Sequence, residues 1–250
     1  DARHLPTVSA YPPLLLNGGI ARIVAGGVPG TTMTARLKRI GGALAAFTLM
    51  VFAAPALAQD AAPALPPEAV GVSQAVMAAE LADWGRRNDD PGALIMAARV
   101  LAEVPMRADE GSEPGFLTPG RLLDEAAVMS EGHPAWLDAI DQVREGGVRG
   151  VRSSPFGEGP IFTVKDIQAR ETFWFEVEAR AGEVLRVAAI GDGDTDIDLV
   201  IRDARGGLVC EDGFGDHYPV CTVSPREGGR MRIDIVNRGA VWTKVQILSN

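Results

Sequence analysis

Cysteine and histidine are nearly absent from this 250-residue chain: Cys210 and Cys221 are the only cysteines, and the histidines are His4, His133 and His217. Two cysteines with one neighbouring histidine fall short of a four-ligand zinc site. Nucleophile–base sets are missing too. Ser153 and Ser154 lie outside any Gly-x-Ser-x-Gly setting, and no His-Glu-x-x-His, P-loop or dinucleotide fingerprint occurs. The expectation is a chain that is not an enzyme. Basic clusters are also lacking. The formal charge is −9, and residues 1–58 carry five of the 24 basic groups but one of the 33 acidic ones, which leaves 19 against 32 and a charge of −13 beyond them. Phosphate contacts need Lys and Arg in clusters, so nucleic acid is excluded as a partner, and cation binding or plain solubility fits the balance.

Long apolar runs are equally scarce. The longest, Ile40–Ala54, is rich in Gly and Ala and short of the about 20 residues that span a bilayer. It follows Arg36, Lys38 and Arg39 and precedes Ala56-Leu57-Ala58. A positive segment, a short apolar segment and a small-residue cleavage site are the three parts of a secretory signal peptide. Residues 33–58 are therefore expected to be removed, leaving a periplasmic or secreted protein with no stable membrane anchor; the other reading is a single anchor helix. Residues 1–32 have neither helical nor strand period, and are expected to be an extension upstream of a true start at Met33, or else a leader. In an oxidising compartment, Cys210 and Cys221 are expected to form one disulfide across the base of a long hairpin loop, with two free buried thiols as the alternative.

What is present changes character near residue 146. A Pro/Ala tether (59–67) leads into an Ala-rich half with helical periodicity (68–145). Helices are expected at about 68–87, 91–104, from 119, and 134–144, with Asp90 and Thr118 as caps before Pro91 and Pro119. A Gly/Arg/Ser-rich linker (146–157) precedes a half rich in Val, Ile, Phe and Thr. There, eight short strands punctuated by turns are expected at 161–167, 172–178, 184–190, 197–202, 208–210, 220–223, 230–236 and 242–248. Phe173, Phe175 and Val177 alternate with polar neighbours and would face the core. The fold class is multi-domain α+β: a small helical-hairpin domain, then an antiparallel β-sandwich or jelly roll (158–250).

Two resemblances follow from these residues. The helical pairs, whose second members follow Asn-Asp-Asp-Pro (88–91) and Glu-Gly-His-Pro (131–134), are loosely similar to tetratricopeptide-type pairs; a small helical bundle is the alternative. The run Asp194-Thr195-Asp196-Ile197-Asp198-Leu199 with its polar turn, the aromatic strand Phe173–Val177 before Ala181-Gly182-Glu183, and Gly228–Val236 together resemble the bacterial pre-peptidase C-terminal domain. That resemblance implies a β-sandwich appended to secreted proteins, often proteases, where it serves secretion, stability or substrate binding. It brings no catalytic residues, and some related domains bind calcium. The family does not require the Cys210–Cys221 pair.

Two candidate sites remain. Asp192, Asp194, Asp196 and Asp198 recur at every second residue, a spacing that puts strand side chains on one face, and with Asp212 they are candidate calcium ligands. Solvated turn formers and edge charges are the other reading. Phe214, His217 and Tyr218 lie between the two cysteines and form a candidate contact loop. The expected function is non-catalytic binding or adaptation, the helical half contacting protein and the sandwich contacting protein or glycan. A purely structural module, or an accessory subunit of a hydrolase, are the alternatives.

Overall fold

The computed structural model describes residues 64–146 and 154–250. The expected upstream extension (1–32), signal peptide (33–58), most of the tether and the centre of the expected linker lie outside the described residues. Helices α1 (Pro67–Arg87), α2 (Pro91–Ala102), α3 (Pro119–Met129) and α4 (Pro134–Gly146) are interrupted by a short strand, β1 (Arg107–Ala108). Eight strands follow: β2 (Ile161–Ile167), β3 (Thr172–Ala179), β4 (Leu185–Gly191), β5 (Ile197–Asp203), β6 (Leu208–Asp212), β7 (Val220–Val223), β8 (Gly229–Asn237) and β9 (Thr243–Ser249). The caps act as their side chains dictate: Asp90 accepts from the N–H groups of Gly92 (2.8 Å) and Ala93 (3.2 Å), and Thr118 from that of Arg121 (3.3 Å).

The strands form two sheets, β1-β2-β9-β4-β7 and β3-β8-β5-β6. Without β1 this is the order of an eight-stranded jelly roll. β1 is the addition: it pairs in parallel with β2, Arg107 opposite Ile161, whereas every other pairing is antiparallel. The sequence of the 105–117 stretch has no strand period, and a two-residue strand is too short to show one.

The central strands of the five-stranded sheet, β4 and β9, are dry on both faces. Val187 and Ala189 of β4, with Val245 and Ile247 of β9, face the sandwich core beside Leu199, Ile201, Ile233 and Ile235. Ala188, Ile190 and Leu248 face the other way, into a cluster with Val72, Ala75, Ala79 and Ala82 of α1 and Leu94 and Leu101 of α2. The halves expected as separate domains thus share one core, within a single compact unit. α1 and α2 do pair as a hairpin, but β4 and β9 cover the side that a further helical repeat would cover. Small side chains make the close approach possible.

The remaining gap is bridged by polar groups. Gln246 on β9 is fully buried, and its Oε1 accepts from the backbone N–H groups of Phe116 and Leu117, each at 3.1 Å. It pins the irregular 105–117 stretch onto the sheet. The described end of the expected linker is also packed: Phe156 is buried, Glu158 N–H donates to Glu68 Oε1 (3.3 Å), and Gly159 adopts φ +78° where a Cβ would strike the backbone of Pro105. Only glycine meets both demands there.

Cys210 and Cys221 are disulfide-bonded, with Cα atoms 6.0 Å apart. They are not hairpin partners: Cys210 is on β6 of the four-stranded sheet and Cys221 on β7 of the five-stranded one, so the bridge ties sheet to sheet.

Two outcomes follow, both read by urea unfolding. Gln246→Leu strands the buried N–H of Leu117 and the part-buried N–H of Phe116 and should cost about 2–6 kcal/mol, since each desolvated unpaired group costs about 1–3 kcal/mol. Replacing both cysteines with serine should cost about 3 kcal/mol, the chain-entropy value for so short a loop.

Candidate binding face

The outer face of the four-stranded sheet carries the densest set of exposed functional side chains. Alternation places Phe173, Phe175 and Val177 inward, as expected, and so turns Trp174, Glu176 and Glu178 outward. On β8, Met231, Ile233 and Ile235 point inward, and Arg230, Arg232 and Asp234 outward. Register then sets the rows. Trp174 lies opposite Asp234, which lies opposite Val200; Glu176 lies opposite Arg232, which lies opposite Arg202; Glu178 lies opposite Arg230.

Asp234 is the centre of this face. Although it points outward it is only 7% exposed, because Arg232 (Nε to Oδ1, 2.7 Å) and Arg202 (Nε to Oδ2, 3.6 Å) close over it. A carboxylate withdrawn from water needs such partners. Arg232 does double duty: its guanidinium carbon lies 4.5 Å from the centre of the Trp174 ring. That cation–π contact holds the indole at the surface, 51% exposed. Arg230 adds contacts to Glu176 (3.3 Å) and Glu178 (3.6 Å). Glu176, Glu178, Arg202, Arg230, Arg232 and Asp234 line an open depression of about 630 Å³, and Trp174 stands outside its lining, against Arg232. A flat indole beside pre-oriented guanidinium groups suits recognition of a polar partner with some apolar surface. The outward phase of β3 and β8 names Trp174, Glu176, Glu178, Arg230, Arg232 and Asp234 in the sequence, whereas Arg202 reaches this face from β5 and only register shows it.

The candidate loop divides. Phe214 is 90% exposed at its tip. His217 and Tyr218 are half-buried, ring centres 3.9 Å apart, in a depression shared with Glu80, Asp83 and Arg87 of α1. Backbone bonds fix them there: Gly191 N–H donates to His217 O (2.8 Å), Ile197 N–H to Asp216 O (2.9 Å) and Ala189 N–H to Pro219 O (3.0 Å). Burial pushes the Tyr218 hydroxyl well above its usual pKa, against the pull of Arg86 and Arg87. Burial likewise holds His217 below its usual pKa, with Asp216 and Asp192 opposing and Arg87 and Arg86 assisting.

The five acids go to separate tasks. Asp192 accepts from Thr243 Oγ1 (2.7 Å) and Lys244 N–H (3.0 Å). Asp198 is buried and paired with Arg238. Asp212 accepts from Val220 N–H (2.8 Å), Asp194 is exposed, and one oxygen of Asp196 is buried without a hydrogen-bond partner. Among the described residues no three His, Cys, Asp or Glu side chains converge as a metal site.

His217 gives a pH dependence with a definite sign. The unfolded chain binds the imidazole proton near pH 6.5, and the folded chain only at lower pH. Stability tied to the neutral ring is therefore complete above that value and falls as pH drops through it. Glu80, pushed up by burial and by Asp216, works in the opposite direction from 4.5 upward. Between about pH 7 and 5 the native chain should lose more stability than a His217→Gln variant, measured by urea unfolding at each pH.

No protein-family model matches the chain, and no curated protein matches it in sequence. Several solved structures are similar over about a third of it. The mitogen derived from Yersinia pseudotuberculosis is 13% identical over 37% of this chain and 85% of its own, with a TM-score of 0.32. The pre-peptidase C-terminal domain of a Bacillus anthracis collagenase is 7% identical over 36% and 87%, at 0.30. The periplasmic inhibitor of g-type lysozyme from Aeromonas hydrophila is 12% identical over 36% and 86%, at 0.27. These likenesses are partial and assign no function.

Proposed function

We propose that this chain is an exported, non-catalytic binding protein that engages a protein or glycan partner through the outer face of its four-stranded sheet. The observation that carries this reading is the Trp174–Arg232–Asp234–Arg202 set. A half-exposed indole is held in place by a guanidinium that is itself fixed by a desolvated carboxylate, so the contact surface is ordered before any partner arrives. Pre-ordering reduces the side-chain entropy lost on association. Aromatic and Arg side chains in such settings are the residue types that dominate binding energy. Export is supported by the three-part segment at residues 33–58 and by the Cys210–Cys221 bridge.

Phe214 offers a second, separate contact point, since its ring is exposed while the loop beneath it is fixed to β4 and β5.

The test is a glycan and peptide array read with the native chain, Trp174→Ala and Phe214→Ala. Ligands held by the native chain should lose at least tenfold in affinity in Trp174→Ala, with little change in melting temperature, because the indole is not part of the core. Unchanged retention in that variant removes the face from the proposal; loss in Phe214→Ala instead moves the site to the loop. An array that retains nothing leaves the purely structural reading.

A further inference from the structure

The two sheets of the sandwich are unequal. The five-stranded sheet extends one strand, β1, beyond β2, while the four-stranded sheet ends at β3, which lies below β2. Among the described residues, no strand lies beside β3 on that side. On the opposite flank the other edge, β6, is short, carries a register shift against β5, and is tied to β7 by the disulfide. β3 has none of these protections: it runs eight residues without a break.

The open edge is chemically specific. Asn237 N–H donates to Glu171 O (3.0 Å), which puts Phe173, Phe175 and Val177 in the hydrogen-bonded pairs with β8. In an antiparallel pair the alternate residues direct their N–H and C=O groups outward. Those residues are Trp174, Glu176 and Glu178, and among the described residues no strand meets them. Beside this row lies a cleft of about 380 Å³, lined by Phe173, Phe175 and Val177 on one side and by Ile161, Thr163 and Ile247 on the other, with Asp109 and Glu110 at its rim. Its charged groups are Asp109, Glu110 and Glu176 against Lys165, whose ammonium lies over the Phe173 ring at 5.6 Å.

We infer that β3 accepts an added antiparallel or parallel strand from another polypeptide, an extended segment that alternates apolar and basic residues. This rests on the reading of the chain as a binding protein and names its partner. Apolar side chains of the guest enter the cleft, and its basic side chains lie beside Glu176 and Glu178 on the outer face. Main-chain bonding supplies affinity, and alternate side chains supply choice. A second copy of this chain is disfavoured as the guest, because β3 pairing with itself sets acidic side chains against one another. The same carboxylates that keep this edge from self-association select a basic strand.

The experiment is calorimetric titration of the full, disulfide-bonded chain with a synthetic peptide alternating Val and Lys. Controls are a peptide alternating Val and Glu and a block peptide of the Val/Lys composition, with amide hydrogen exchange followed in parallel. The alternating Val/Lys peptide should bind at least tenfold more tightly than either control and slow exchange at the amides of Trp174, Glu176 and Glu178. Glu176→Pro removes an amide that the fold does not use, a change tolerated on edge strands; it should abolish binding. Glu176→Lys/Glu178→Lys should reverse the preference toward the Val/Glu peptide, which keeps the proposal testable if the proline variant is poorly folded. Equal binding of all three peptides, unchanged binding in Glu176→Pro, or protection of the same amides through dimerisation alone overturns strand addition. Loss of array binding in Trp174→Ala with no peptide response leaves the outer-face reading standing while this one falls.

Discussion

The structure depends on one sheet being buried from both sides. β4 and β9 feed successive residues to two different cores: Val187 and Ala189 to the sandwich, Ala188 and Ile190 to the helices, with Val245, Ile247 and Leu248 doing the same one strand over. A slip of one residue in either strand would exchange the two sets. On the helix-facing side, Ala188 meets the alanine-rich side of α1, and Ile190 and Leu248 fill the space around it. Every other element is placed relative to these two strands, including the 105–117 stretch that Gln246 holds against them.

Burial of β4 and β9 on both faces leaves the four-stranded sheet as the layer with an open outer face. Its inner face completes the sandwich. Its outer face carries three arginines, three acids and a tryptophan in registered rows, and the order of these side chains comes from cross-strand pairing rather than from any loop. The one loop that looked suited to contact is largely committed to the interior, because Asp216, His217 and Pro219 offer their carbonyls to β4 and β5. Among the loop's three candidate contact side chains, only Phe214 is exposed.

Much of the fold was legible in the sequence. All four helices begin, and the eight sandwich strands begin and end, within a residue or two of the positions read from periodicity, caps and turns, and the inward phase of Phe173–Val177 is visible as alternation. What could not be read was assembly. Nothing local in Val-Gln-Ile-Leu distinguishes a sheet with one wet face from one covered by helices, since both alternate. The division near residue 146 is a change of secondary structure, and composition does not reveal that the two kinds of element share a core. The disulfide pairing was legible because only two cysteines exist, yet its span between sheets was not, because sequence separation suggested a hairpin. The face around Asp234 is not legible locally for a different reason: Trp174 and Arg202 are distant from Asp234 in sequence and are gathered beside it by strand register.

The sheet-to-sheet bridge has a mechanical consequence. Cys210–Cys221 ties the β6–β7 flank of the sandwich, and the short turn 168–171 ties β2 to β3 at the other margin. The sandwich is in effect a book stitched along both edges. Reduction of the bridge would lengthen one stitch to the 213–219 loop, and leave the layers joined by the chain crossings and by core packing.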